Sequence, residues 1–247
     1  MLRALIFDVD GTLSDTERDG HRVAFNAAFD EAGLDWEWDE ELYAELLDVT
    51  GGKERITHFV GLHRPEFALR PDFHERVVEL HRAKTRHYMA LAASGAIPLR
   101  PGVARLLDEA RAAGLRLAIA TTTTPENVAA LLLPSLGPNA LSWFEVVGAG
   151  DVVPAKKPAP DIYLWVLERL GLPAGACLAF EDSENGLKAS LGAGLATVVT
   201  PCDYTRGQDF NGATAVLDSL EEVAMPDLQA WLSVAAANGP QGFPSVI

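Results

Sequence analysis

Cysteine is nearly missing from this chain. Cys177 and Cys202 are the only two in 247 residues, which excludes a disulfide framework and a thiolate zinc site, and leaves two buried or incidental thiols. Cations are scarce as well: 20 Lys and Arg stand against 35 Asp and Glu, for a net charge of −15 and a pI near 4.7. That balance disfavours a nucleic-acid partner. No apolar run reaches the roughly 20 residues that cross a bilayer. The N-terminus enters an apolar strand pattern directly, without signal-peptide architecture, so the expectation is a cytoplasmic protein with no membrane partner. All six histidines lie between His21 and His87, and none has the i, i+4 spacing of a helical zinc pair. Internal repeats and low-complexity linkers are absent too.

What is present reads as a globular protein with 48% apolar residues, long enough for one large domain or a core with an inserted subdomain. The few cations are segregated. Residues 15–48 hold only Arg18 and Arg22 against twelve acids, whereas residues 49–90 hold Lys53, Arg55, Arg64, Arg70, Arg76, Arg82, Lys84 and Arg86 against five. An anionic small molecule has somewhere to bind despite the overall charge.

The chain is organised around Arg3-Ala4-Leu5-Ile6-Phe7-Asp8-Val9-Asp10-Gly11-Thr12-Leu13. An apolar run bounded by a turn predicts a buried strand, and the period of two places Asp8 and Asp10 on the same side at its end. Neighbouring carboxylates repel, and a divalent cation or a shared proton relieves them. A plain surface Asp-Gly turn is the competing reading of this stretch alone.

Asp15-Thr16-Glu17 predicts a capped helix start, with Val23, Phe25, Ala28, Phe29 and Ala32 at helical spacing until Gly33. Trp36 to Leu47 predicts a second helical piece. Thr50-Gly51-Gly52-Lys53 then joins a glycine pair to a cation. Phe73, Val77, Leu80, Lys84 and Tyr88 share one helical stripe, which puts a lysine on an apolar face unless its stem merely snorkels from the edge. Ser94 to Pro98 breaks the run.

The remainder alternates: helix Pro101 to Ala113, strand Leu115 to Ala120, a helix from Pro125, strand Phe144 to Val147, helix Asp161 to Leu170, strand Ala176 to Phe180, helix Glu184 to Leu191 and strand Leu195 to Val199. This order predicts an α/β fold: a Rossmann-like parallel sheet core at 1–14 and 96–238, with an α-helical cap domain inserted at 15–95 and a flexible tail at 239–247. In such sheets ligands bind beyond the carboxyl ends of the strands. Asp8/Asp10, Thr121/Thr122/Thr123, Lys156/Lys157 and Glu181/Asp182 all fall there. Each cluster alone reads as a helix start, a solvated loop or an N-cap. Together they supply a carboxylate nucleophile, hard oxygen ligands for Mg²⁺, and a hydroxyl and lysine for phosphoryl oxygens.

The ordered set Phe7-Asp8-Val9-Asp10-Gly11-Thr12-Leu13, Thr121, Lys157-Pro158-Ala159-Pro160-Asp161 and Glu181-Asp182-Ser183 resembles the four motifs of the haloacid dehalogenase superfamily. The resemblance spans residues 3 to about 200. Thr50 to Ile56, Leu99-Arg100-Pro101-Gly102-Val103, Ala120 to Thr123, Glu181 to Leu187, Tyr204-Thr205 and Asp209-Phe210 are similar to the CbbY-type sugar-bisphosphate phosphatases, and the helical insertion to the C1 type of cap. Glu17-Arg18-Asp19-Gly20-His21 is one residue longer than that pattern.

The resemblance implies a monomeric Mg²⁺-dependent phosphatase acting on a small phosphorylated sugar, xylulose 1,5-bisphosphate first among candidates. Asp8 would form an aspartyl-phosphate, with Asp10 as general acid and base and Thr121 and Lys157 on the phosphoryl group. Mg²⁺ would be held by Asp8, the Asp10 carbonyl and Asp182, with Glu181 on a metal-bound water. Glu17, His21, Gly51, Gly52, Lys53, Lys84, Arg100 and Thr122 would contact the rest of the substrate. A β-phosphoglucomutase-like mutase is the runner-up. A catalytically inactive binding protein would have lost one of Asp8, Asp10, Lys157 or Asp182, and all four are present.

Overall fold

Ala4-Leu5-Ile6-Phe7 forms strand β1 (Ala4–Phe7), buried at every position as an apolar strand covered on both faces must be. The structure is a computed structural model that describes residues 1–47, 49 and 51–238. Thr50 and the expected tail at 239–247 lie outside the described residues. The chain divides into two compact units, Thr16–Ile97 and the flanking segments Met1–Asp15 with Pro98 onward.

The first unit is all helical: a π-helical segment Glu17–Arg22 leads into α1 (Val23–Glu31), followed by α2 (Glu40–Leu46), α3 (Gly52–His63), α4 (Pro65–Ala68) and α5 (Phe73–Ala93). Its interior is aromatic. Trp38 lies 4.6 Å from Phe25 and 5.3 Å from Phe59 between ring centroids, and Trp36 lies 5.3 Å from Phe29. The helix expected from Trp36 starts only at Glu40. Asp39 caps it, accepting from the Leu42 amide at 2.8 Å, so both tryptophans precede the helix and their rings fill the unit's interior. Helix α3, unforeseen, buries Ile56, Phe59 and Val60, a stripe too short to announce itself.

The second unit continues as α6 (Val103–Ala112), β2 (Arg116–Ala120), α7 (Pro125–Leu136), β3 (Phe144–Gly148), α8 (Asp161–Leu170), β4 (Cys177–Glu181), α9 (Glu184–Gly192), β5 (Ala196–Val199), β6 (Ala215–Val216) and α10 (Met225–Asn238). All strands pair in parallel in the order β3-β2-β1-β4-β5-β6. Two-residue β6 and α10 were not anticipated. Phe7 pairs with Ile119 on one side and Phe180 on the other, so the segments following β1, β2 and β4 emerge side by side. Strand order reverses about β1, the position where open α/β sheets bind ligands.

Arg100 departs from its expected role. Its side chain is buried, and its guanidinium donates to the carbonyls of Gly11, of Thr200 at 2.5 Å and of Pro201 at 2.9 Å, with Asp15 at 3.4 Å from Nε. These contacts tie the loop after β1 to the loop after β5, and they occupy the fork that a substrate phosphate would need. Arg100→Met should therefore cost about 3 kcal/mol of stability, since buried carbonyls lose a charged donor. In thermal unfolding that is a fall of roughly 6–12 °C for a chain of this size, and Arg100→Lys should restore little of it. A melting temperature unchanged by Arg100→Met would return this residue to the pool of substrate cations.

Candidate active site

Asp8 follows β1 directly, and its amide bonds the Phe180 carbonyl of the neighbouring strand at 3.0 Å. Glu181 closes β4, and Asp182 is the next residue. Strand pairing thus delivers three carboxylates to one spot: Asp8, Glu181 and Asp182 are all buried and offer ligand oxygens within 4.8 Å of one another. Lys157 comes from the loop before α8. Its ammonium lies 2.6 Å from Asp8 Oδ1 and 2.7 Å from Glu181 Oε1. Three acids and one lysine leave a formal charge of −2 in a buried site.

Two glycines let the acids in. A Cβ on Gly186, in the first turn of α9, would fall 1.9 Å from Glu181 Oε2. One on Gly11 would fall 2.2 Å from Asp182 Oδ2, and Gly11 also takes a φ of +82° that side chains disfavour. The expectations of N-caps in these runs hold for their neighbours. Ser183 caps α9 through the Gly186 amide and Thr124 caps α7 through the Asn127 amide, so neither cap falls to Asp182 or Thr121.

Electrostatics follow from this burial. Desolvation pushes Glu181 up to about 7, reinforced by Asp8 and opposed by Lys157 and Tyr163. Desolvation also holds Asp182 well above the usual carboxylate range, with Asp8 and Glu181 adding to it. Lys157 is buried, and the two carboxylates overcome that cost and raise its pKa. Glu181 Oε2 is buried with no hydrogen-bond partner among the described residues. An orphaned oxygen, three hard carboxylates and a charge of −2 fit a divalent cation such as Mg²⁺. Asp10, half-buried, is not part of this carboxylate cluster.

Thr121 is buried after β2, its amide bonded to the Gly148 carbonyl at 2.9 Å, while Thr122 is exposed. Lys156 points elsewhere, to Asp151 at 2.7 Å. Tyr163, on α8, was missed: its hydroxyl donates to Glu181 Oε1 and Lys157 Nζ lies 5.3 Å from its ring centre. Its signal was a phenol on an otherwise apolar helical face, where a buried hydroxyl needs a partner.

In the helical unit, the segment from Glu17 to His21, read as one residue longer than the family pattern, is π-helical. A π turn takes about one residue more than an α turn, so four residues there advance the chain little further round the axis than three do in an α-helix. Gly20 makes this possible, since a Cβ would lie 2.7 Å from Ile97 and 2.9 Å from Tyr88. His21 stacks on Tyr88 at 4.1 Å, and Lys84 Nζ lies 2.8 Å from His21 Nδ1 and about 5 Å from the Phe25 and Tyr88 rings. Lys84 therefore turns inward rather than snorkelling. Burial first, then the charges of Lys84, Arg55 and His81, pull His21 well below its usual range, and the neutral ring accepts at Nδ1. Glu17 Oε2 accepts from Tyr43 Oη at 2.5 Å, and Tyr43 in turn accepts from Arg55 at 2.9 Å. Gly51, at φ +99°, and Gly52 open α3, and exposed Lys53 edges a hollow of about 550 Å³ with Thr57, His58 and His74.

The family model for haloacid dehalogenase-like hydrolases matches residues 2–194. The plasmid-encoded CbbY protein of Cupriavidus necator is 53% identical over 91% of this chain and 88% of its own length. The crystal structure of CbbY from Rhodobacter sphaeroides in complex with phosphate superposes with a TM-score of 0.81 at 48% identity, covering 93% of this chain and 100% of that one. A variant of the same protein in complex with xylulose-(1,5)bisphosphate gives 0.79 at 49% identity, over 91% and 97%. With this agreement in sequence and in backbone along nearly its whole length, the chain belongs to the haloacid dehalogenase-like hydrolases, in their CbbY branch.

Proposed function

We propose that this protein is a Mg²⁺-dependent phosphatase that hydrolyses xylulose 1,5-bisphosphate through an aspartyl-phosphate on Asp8. The observation that carries the reading is the bisphosphate held by a solved relative at 49% identity, together with the Asp8, Lys157, Glu181 and Asp182 constellation here. An Asp8 oxygen attacks phosphorus and the bond to the sugar oxygen breaks. Asp10 gives that oxygen its proton. Asp10 then takes a proton from the water that attacks the same phosphorus, releasing phosphate and restoring Asp8. Lys157, already against Asp8, and Thr121 neutralise and bond the phosphoryl oxygens. Asp8, Asp182 and the Asp10 carbonyl would hold Mg²⁺, with Glu181 on its water; the ion supplies positive charge that offsets repulsion between phosphate and carboxylate. Glu17, His21, Gly51, Gly52, Lys53 and Lys84 are read as substrate contacts. Two buried free thiols suit the reducing cytoplasm of this reading.

A steady-state screen of sugar mono- and bisphosphates with Mg²⁺ tests the assignment. Preference for xylulose 1,5-bisphosphate is expected, and interconversion of glucose phosphates without release of phosphate would make the protein a mutase instead. Asp8→Asn should fold and show negligible turnover, because an amide is a poor nucleophile. In Asp10→Asn, single-turnover phosphoryl transfer to Asp8 should be spared for aryl phosphates, whose leaving groups need no proton, more than for sugar phosphates; equal losses in that step would remove the acid role.

Lys53→Ala should lower kcat/KM for the bisphosphate by roughly 2–4 kcal/mol, as one charge-assisted contact is lost, while p-nitrophenyl phosphate turnover changes little. Parallel losses on both substrates would place Lys53 in folding rather than recognition.

The last prediction concerns pH. Between the unfolded carboxylate value near 4.5 and the folded value of about 7, the native apo protein holds a proton at Glu181 that the unfolded chain has lost. Its stability should therefore fall as pH rises through that window, by on the order of 1–3 kcal/mol. Mg²⁺ needs the ionised acids, so the stabilisation it confers should grow over the same interval. Melting curves with and without MgCl₂ across this range check both slopes, and a flat difference between them would contradict the buried acid site.

A further inference from the structure

The first turn of α8 carries a phenol that the proposed reaction does not use. Tyr163 is fully buried in the apolar cluster with Ile162, Val166 and Ala179. Buried phenols take a partner, and this one donates to Glu181 Oε1. Lys157 donates to that same oxygen at 2.7 Å. Glu181 Oε2, lodged against Gly186, has no partner among the described residues. Two donors on one oxygen and none on the other is a lopsided arrangement for a buried carboxylate, because an unmatched oxygen costs free energy unless something else takes it.

We propose that Tyr163 is a positioning residue for the cation site: its hydroxyl pins Glu181 by Oε1 and reserves Oε2 for the hydrated cation. The pinning also serves Lys157. With Tyr163 sharing Oε1, and its ring 5.3 Å from Nζ, the ammonium stays shared between Glu181 and Asp8 at 2.7 and 2.6 Å instead of collapsing onto Glu181. Partners that hydrogen-bond the groups around a metal commonly change its affinity by tenfold or more when removed. Tyr163 is thus set apart from the other buried residues of α8, which contribute packing alone.

The inference rests on the Mg²⁺ reading above, and the test separates the two. Tyr163→Phe keeps the ring and its packing and removes only the hydroxyl. Isothermal titration of the apo protein with MgCl₂, without substrate, reads the site directly. Tyr163→Phe should weaken Mg²⁺ binding roughly tenfold, with the apo protein still folded and its melting temperature lower by a few degrees, as loss of one hydrogen bond to a carboxylate predicts. In a Glu181→Ala background the same substitution should change affinity less than twofold, because the group it positions is gone. Unchanged Mg²⁺ affinity in Tyr163→Phe overturns the proposal while leaving the cation site standing. An equal loss in both backgrounds also overturns it, since Tyr163 would then not act through Glu181. Absence of Mg²⁺ binding in the parent protein removes the cation reading and this inference together. If Tyr163→Phe unfolds on its own, Glu181→Ala must still bind Mg²⁺ more weakly than the parent, and failure of that arm overturns the pinning.

Discussion

Concentrating like charge in a dry place is the constraint on which the rest of this structure depends. Asp8, Glu181 and Asp182 sit within a few ångströms of one another, screened by apolar strands, with Lys157 as their shared counter-charge. Such a cluster survives only if the scaffold holds it rigidly. A parallel sheet buried on both faces does so, because the two strands that carry the acids are hydrogen-bonded neighbours whose ends cannot drift apart. Gly11 and Gly186 complete the confinement by offering backbone where any side chain would displace a carboxylate.

The core site was legible in the sequence because each of its parts is announced locally. Asp8 and Asp10 end an apolar run, Thr121 follows a strand, Lys157 opens a Pro-rich turn before a helix, and Glu181-Asp182 closes another apolar strand. Parallel topology then brings those ends together with no further information. The alternation of strand and helix also fixed α8, α9 and most strand limits to within a residue or two. What escaped is what depends on packing between distant segments. Arg100 reads as a free cation beside a hinge, yet three carbonyls from two loops claim it. Tyr163 reads as one more aromatic on a buried stripe. Trp36 and Trp38 read as the start of a helix, yet they precede it and serve as side chains of an aromatic interior.

The helical unit shows a different economy. One additional residue before His21 would turn a regular helix by a further 100° or so and swing that histidine off its face. The segment is π-helical instead, and glycine at position 20 supplies the clearance against Tyr88 and Ile97. Lys84 then orients the ring from the other side, through Nδ1.

The position of β1 has a consequence for how the molecule is made. Although it precedes every other strand in the chain, β1 lies inside the sheet, and both strands that flank it lie more than 100 residues further along. The helical unit lies between β1 and both of those neighbours in the chain, and its largest contact, α1 against α5, is closed within the unit itself. Asp8 must therefore wait, unpaired and hydrated, until β4 arrives to close the sheet. Chain closure over such distances is slow compared with helix formation, so the acid cluster assembles later than the local helices. The three carboxylates meet only when β4 pairs with β1, so the site has no existence apart from the closed sheet.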